Sequence, residues 1–201
     1  MDVTVSRRAF QTFLAGIGLS LTGHQVHAAG RTGGHDIESF MLPRNDWVPN
    51  NDHLPVLYYR NAVALRPDDP AAGFEDLFTA NGWPPRWRWG VYTFHHYHST
   101  AHEVLGVASG SARLMLGGPG GRIVDVSAGD VVVLPAGTGH RNLGSDDAFL
   151  VVGAYPPGQD FDLQRGALPA DALARMNHVP FPASDPVAGA DGSLPALWHQ
   201  T

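Results

Sequence analysis

Gly90-Val91-Tyr92-Thr93-Phe94-His95-His96-Tyr97-His98-Ser99-Thr100-Ala101-His102-Glu103, closed by Gly110, is the stretch around which this chain is organised. In extended backbone, residues i and i+2 point to the same face, so His96 and His98 aim into one space. Glu103 stands just past a short turn and returns to that space from the next strand. A second block runs Gly129, five residues, Pro135-Ala136-Gly137, two residues, His140. Pro135, Gly137 and Gly139 suit a tight turn, which delivers His140 on a later strand. Three imidazoles and a carboxylate converging on one point form a donor set for a first-row transition metal. His96, His98, Glu103 and His140 are therefore the candidate ligands of one divalent ion, with Fe, Mn, Ni, Cu and Zn all open. No residue stands out as a catalytic acid or base.

Composition sharpens the pattern. Of 11 histidines, His95, His96, His98, His102 and His140 fall in or beside the two blocks. Glutamate occurs only as Glu38, Glu75 and Glu103, and one of these three takes the acid's place in the pattern. Strand alternation turns His95 away from His96 and His98. It turns His102 away from Glu103, unless a bulge exchanges His102 for one of the other ligands.

Working outward, short extended runs are expected at 88–97, 103–108, 112–116, 122–126, 131–134 and 149–155. Glycine-rich turns such as Gly117-Gly118-Pro119-Gly120-Gly121 separate them. Many short strands with frequent turns indicate a sandwich or barrel. Residues 30–60, rich in Gly, Asn, Asp and Pro, read as an arm lying over the domain, extended near 37–42 and 56–59. Ala71, Phe74, Leu77 and Phe78 space a short amphipathic helix over 70–81, and a second helix is expected over 169–176. No repeat, linker or second domain is evident.

The two blocks resemble the two-motif signature of the cupin superfamily. The first motif, G-x5-H-x-H-x(3,4)-E-x6-G, is filled by Gly90, His96, His98, Glu103 and Gly110. The second, G-x5-P-x-G-x2-H-x3-N, is met at Gly129, Pro135, Gly137 and His140, with Gly144 where the family often has Asn. That Asn is not a ligand in the family, so the departure leaves the donor set intact. Residues 111–128 form a short spacer of the kind found in compact microbial members. From about residue 83 to 162 the chain is similar to YjlB-like single-domain cupins. The resemblance implies an all-β double-stranded β-helix (a jelly-roll barrel) over residues 30–201, with its core at about 86–156, an N-terminal arm and one or two short peripheral helices. It also implies a fold that commonly dimerises, so a homodimer is one expected state.

The amino terminus reads differently. Ser6-Arg7-Arg8-Ala9-Phe10 precedes an apolar run and then Val26-His27-Ala28, a small-residue cleavage pattern. Residues 1–29 are similar to a twin-arginine signal peptide, although Gln11 and Thr12 depart from its last two places. The apolar run is shorter than the roughly 20 residues needed to span a bilayer. A periplasmic or otherwise exported protein, without membrane insertion after processing, is the expectation.

The 201 residues contain no cysteine and no lysine, which excludes disulfides, thiolate ligands, cysteine nucleophiles and lysine Schiff bases. A net charge of −6 without a basic stripe argues against nucleic acid and anionic membrane as partners. The expected partner is a small-molecule ligand or substrate. Four protein donors leave two positions of an octahedral ion for water, dioxygen or a bidentate substrate. Two readings follow. One is an exported mononuclear metalloenzyme acting on a small oxygen-rich organic molecule, with dioxygenase-type oxidoreductase chemistry favoured over isomerase or decarboxylase chemistry. The other is a periplasmic ligand- or metal-binding cupin without turnover. Tyr92, Phe94, Leu105 and Val107 share parity with the ligands and should line the interior. Arg113 and Arg141 face either a cavity or solvent. Trp83, Trp87 and Trp89 belong either to the core or to a cavity edge.

Overall fold

Strands dominate because the chain alternates β-branched and aromatic residues over short runs, with glycine turns between them. The computed structural model describes residues 26–32 and 35–198. The strands are β1 (Val26–Thr32), β2 (His35–Phe40), β3 (Val56–Arg60), β4 (Pro85–Trp89), β5 (Glu103–Ser109), β6 (Ser111–Leu116), β7 (Arg122–Ser127), β8 (Val131–Leu134), β9 (His140–Ser145) and β10 (Leu150–Ala154). They form a larger sheet in the order β1-β2-β3-β8-β5-β10-β4 and a smaller one in the order β7-β6-β9, with every pairing antiparallel. This is the expected jelly-roll architecture.

Period-2 alternation gives the larger sheet two apolar faces. Val56, Tyr58, Leu105, Val107, Val132 and Leu134 face inward, onto Leu114, Leu116, Val124 and Val126 of the smaller sheet. Their neighbours Leu57, Tyr59, Val104, Val131 and Val133 face outward, onto helix α1 (Pro70–Ala80) and the C-terminal tail. Each such side chain contributes roughly 1.5–3 kcal/mol when taken out of water, so covering both faces gives a chain of this size two substantial cores. Double coverage also explains why β5 and β8 read as continuous apolar runs.

The N-terminal arm lies on the domain as strands of its larger sheet, and β3 sits between β2 and β8 with Leu57 opposite Val133 and Tyr59 opposite Val131. The extended runs expected near 37–42 and 56–59 are β2 and β3, while the loop-like composition around them conceals their place in the larger sheet. Helix α1 falls where expected, with Asp69 accepting from the Ala72 N–H at 3.1 Å and Pro70 at its first turn. Helix α2 (Ala170–Met176) matches the tail expectation. A third, α3 (Ser193–Trp198), was not expected. Six residues containing Pro195 carry too little periodicity to be read, and the helix is held by Trp198, whose indole donates to the Pro55 carbonyl at 3.1 Å.

The strand expected over 88–97 stops at Trp89. Beyond it, His96 pairs with His140 while Tyr97 pairs with Gln164, so consecutive residues bridge to different segments and no ladder can continue. Of the segment expected to direct export, residues 1–25 lie outside the described residues, and Val26–Thr32 pairs with β2 as β1. Among the described residues, no helix is long and apolar enough to cross a membrane.

Candidate metal centre

The two motif blocks are clasped together by backbone. The His96 N–H donates to the His140 carbonyl at 3.2 Å, the His140 N–H returns to the His96 carbonyl at 2.9 Å, and the Gly137 N–H donates to the His98 carbonyl at 2.8 Å. Gly137 has φ 89° and lies so close to Met176 that an added Cβ would meet its sulfur at 2.5 Å. The positive φ favours glycine there, and the Asn50 carbonyl, at 2.9 Å from an added Cβ, would crowd any side chain. The clasp brings all four sequence-predicted residues to one place. His96, His98 and His140 are buried, and each offers a ring nitrogen within 4.8 Å of the others. Glu103 Oε1 lies 3.4 Å from His98 Nε2, and its Oε2 lies 3.3 Å from His140 Nε2.

The hydrogen bonds assign the ring nitrogens. Nδ1 of His96 faces the Phe94 carbonyl at 3.2 Å, Nδ1 of His140 faces the Thr138 carbonyl at 3.1 Å, and Nδ1 of His98 faces the Asp162 carbonyl. A carbonyl can only accept, so each Nδ1 carries a proton and donates it. In the neutral rings, each Nε2 then turns a bare lone pair towards the shared centre. Glu103 Oε2 is buried there without a hydrogen-bond partner. Several acceptors facing one another with no donor between them are costly, and a cation at their focus satisfies all of them. These residues fit a divalent first-row transition metal by donor type, tautomer and charge.

The titration behaviour points the same way. Burial, reinforced by the neighbouring His140, pushes His96 down to about 3. Burial works against the charged form of His98 too, yet the Glu103 carboxylate outweighs it and raises His98 above its ordinary value. Burial likewise opposes ionisation of Glu103, but His98 and His140 hold it well below the usual carboxylate range. The centre thus stabilises a buried negative charge and draws positive charge towards it.

Tyr155 and Trp87 complete the wall. The Tyr155 hydroxyl donates to Glu103 Oε1 at 2.5 Å and accepts from Trp87 Nε1 at 2.9 Å. Burial and the adjacent carboxylate both raise the pKa of this phenol, keeping it protonated. With Oε1 engaged by Tyr155, Oε2 is the oxygen left for a metal. Trp87 reaches Tyr155 by lying flat over Gly153, where a Cβ would meet the indole at 2.0 Å. Asp162, whose carbonyl orients His98, accepts from the Ser99 N–H at 2.6 Å and from Gln164 Nε2 at 2.8 Å. Trp87 was expected either in the core or at a cavity edge and takes the cavity edge, whereas Tyr155 and Asp162 were not singled out from sequence. The register that pairs Ala154 with Val104 places Tyr155 beside Glu103, and no local motif encodes that pairing.

A cavity of about 430 Å³ opens directly onto the cluster, lined by His96, His98, Glu103, His140 and Tyr155, with Leu105 and several aromatics around them. Tyr92 is a rim residue, 49% exposed, and Phe94 stacks behind it at 4.7 Å. Val107 packs in the inner core instead. Arg113 is exposed and paired with Asp125, and Arg141 is absent from the lining, so neither arginine serves the cavity. Trp83 is core, with its indole donating to Ser184, whereas Trp87 and Trp89 line the cavity. His95 is half-buried, and burial together with Arg141 lowers its pKa. His102 points away from the centre. Its Nδ1 accepts from the Ala136 N–H at 2.9 Å, and burial pushes its pKa down to about 4. It pins the turn that delivers His140, so no bulge exchanges it for a ligand.

A cupin domain matches residues 90–152. YjlB of Bacillus subtilis (strain 168), an uncharacterized protein, is 34% identical over 165 residues, covering 81% of this chain and 97% of its own length. Among solved structures, procruciferin, the 11S globulin of Brassica napus, matches 73% of this chain at 12% identity and a TM-score of 0.33. A mutant of Bacillus subtilis oxalate decarboxylase OxdC matches 69% at 18% identity and a TM-score of 0.30. The chain covers 33% of the first of these structures and 29% of the second.

Proposed function

Because the chain belongs to the cupin superfamily, in company with YjlB, we propose that it is a mononuclear metalloenzyme acting on a small oxygen-rich organic molecule. His96, His98, Glu103 and His140 would hold the ion, with its identity among Fe, Mn, Ni, Cu and Zn open. When bound, such an ion supplies Lewis-acid polarisation or, if redox-active, oxygen activation; dioxygenase-type chemistry is the favoured form. The observation that carries catalysis over simple binding is the cavity of about 430 Å³ that opens onto the cluster beside an ordered tyrosine. A centre that only stores metal needs no such space.

The chain's own residues have defined tasks in this reading. The backbone carbonyls of Phe94, Asp162 and Thr138 hold the three imidazoles in the tautomer that presents Nε2. Tyr155 keeps its proton on the phenolic oxygen and orients Glu103, and Trp87 orients Tyr155. Leu105 and the aromatic walls limit water at the floor. Export through the twin-arginine-type segment would deliver the protein folded, so the metal could be chosen before contact with periplasmic copper and zinc, which bind such donors more tightly than iron or manganese.

The test is metal analysis of protein recovered from its native compartment, with His96→Ala as control. One ion per chain, lost in the variant, is the expected result. No stoichiometric metal in either protein removes the catalytic reading and leaves a metal-free binding protein.

A further inference from the structure

The cavity above the cluster has a composition that restricts what it can accept. Five of its lining residues are aromatic: Trp87, Trp89, Tyr92, Tyr155 and Phe161. They stand on two sides of the ligand histidines. Tyr92 contacts His96 edge-on at 5.1 Å between ring centroids. On the other side Phe161 contacts His98 edge-on at 5.3 Å, and Tyr155 stacks parallel on Phe161 at 4.4 Å. The rim is open to an incoming ring, with Trp89 73% exposed, Tyr92 49% and Phe161 40%. Exposed aromatics on different segments around one cavity offer flat faces on which an incoming ring can stack.

Charge narrows the choice further. Arg88 is the one guanidinium in the lining, and it is engaged elsewhere, bonded to both carboxylate oxygens of Glu75 at 2.6 Å each and to Asp69 at 3.1 and 3.2 Å. Arg165 lies over the Phe94 ring at 4.1 Å and is not part of the lining. A carboxylate-rich substrate entering here would find no free cation on the walls and would face Glu103 at the floor. An aliphatic dicarboxylate would therefore be held by the bound ion alone, whereas a flat ring also gains the aromatic walls.

We infer that the cavity selects a planar aromatic molecule bearing adjacent oxygens on one edge, of the catechol class, and disfavours aliphatic dicarboxylates. The ring lies between the Trp89–Tyr92 and Phe161 sides, and its oxygens point to the histidine–Glu103 floor. A volume of about 430 Å³ admits such a molecule and lies within the range of about 300–1,000 Å³ typical of small-molecule sites. This inference rests on the metal-site reading above and deepens it by naming the substrate class.

The experiment is titration calorimetry on the full-length protein loaded with zinc, a redox-silent ion, using catechol and succinate as probes. Metal content is measured first in every sample. Catechol is expected to bind saturably and at least about tenfold more tightly than succinate. Trp89→Ala and Tyr92→Ala should each weaken catechol binding by about three- to tenfold while leaving one zinc per chain, the range expected for loss of one stacking partner. Succinate binding as tightly as catechol, or catechol affinity unchanged in both variants, overturns the inference. The two readings fail separately. Protein that takes up no zinc yet binds catechol in a Trp89-dependent way keeps the aromatic site and removes the metal reading.

Discussion

Among the described residues three buried carboxylates, Glu103, Asp130 and Asp185, accept a hydrogen bond from a tyrosine, and Asp185 and Glu103 make the sharpest contrast. On the outer side of the larger sheet, Asp185 accepts from the Tyr59 hydroxyl, from the Val187 and Ala188 N–H groups at 2.8 and 3.1 Å, and from the Leu194 N–H at 3.0 Å. On the inner side, Glu103 accepts from Tyr155 through one oxygen only, and its other oxygen faces imidazole lone pairs without a donor. Asp185 is a finished structural knot that ties the C-terminal tail to β3. Glu103 is left one hydrogen-bond donor short, its charge balanced by the neighbouring His98 and His140. A buried acid with every lone pair engaged marks architecture, whereas one left short of partners marks a place meant for something else.

The largest expected effect lies on the finished side. Asp185→Ala would orphan three N–H groups and a hydroxyl in a dry core, costing about 3–5 kcal/mol. That corresponds to a fall in melting temperature on the order of 10 °C for a chain of this size. Denaturant unfolding of the metal-free protein measures it, and a loss below about 1 kcal/mol would erase the contrast with Glu103.

Glu103→Gln should behave in the opposite way. The amide can donate to the bare Nε2 of His140, so metal-free stability should hold within about 1 kcal/mol or improve. Metal affinity should fall by more than about 100-fold, as expected when a ligand is lost outright rather than merely one of its supports. Equilibrium dialysis against a metal buffer, run beside thermal melts, reads both. If Glu103→Gln unfolds the metal-free protein, the carboxylate is structural and the comparison collapses.

Tyr155→Phe sharpens the same side. Removing the hydroxyl frees Oε1 and loosens Glu103, so metal affinity should drop about tenfold with little change of fold. The spectrum of bound cobalt should shift as the carboxylate changes its mode of binding. An unaltered affinity and spectrum would reduce Tyr155 to a packing residue.

The smallest effect is expected far from both carboxylates. Arg113→Ala removes an exposed partner of Asp125 on the smaller sheet, and stability should stay within about 0.5 kcal/mol. A larger loss would mean that the outer surface of the smaller sheet is coupled to the core in a way its exposure does not suggest.

Local pattern carried a good part of this molecule into view. The strands β5 to β8 and β10 follow from short apolar runs between glycine turns, and α1 follows from the spacing of Ala71, Phe74, Leu77 and Phe78. The four convergent residues followed from spacing alone, since i and i+2 must share a face and Pro135 to Gly139 must turn. Features that depend on partners distant in the chain were hidden. The extended run at 56–59 was legible as such, but its place between β2 and β8 in the larger sheet was not. The termination of the strand after Trp89 depended on His96 and Tyr97 finding different partners, and α3 depended on a buried place for Trp198.

The sequence by itself therefore determined the β-rich architecture and the set of side chains with metal-binding chemistry, because both arise from periodicities of a few residues. Only the tertiary structure decided which nitrogen each histidine presents, that Tyr155 and Trp87 stand behind Glu103, and that Arg113 and Arg141 stay out of an aromatic cavity. Those properties come from contacts between residues tens of positions apart, such as Tyr155 with Glu103 and Asp162 with His98. Strand register and chain closure create such contacts, and neither is written in any local stretch.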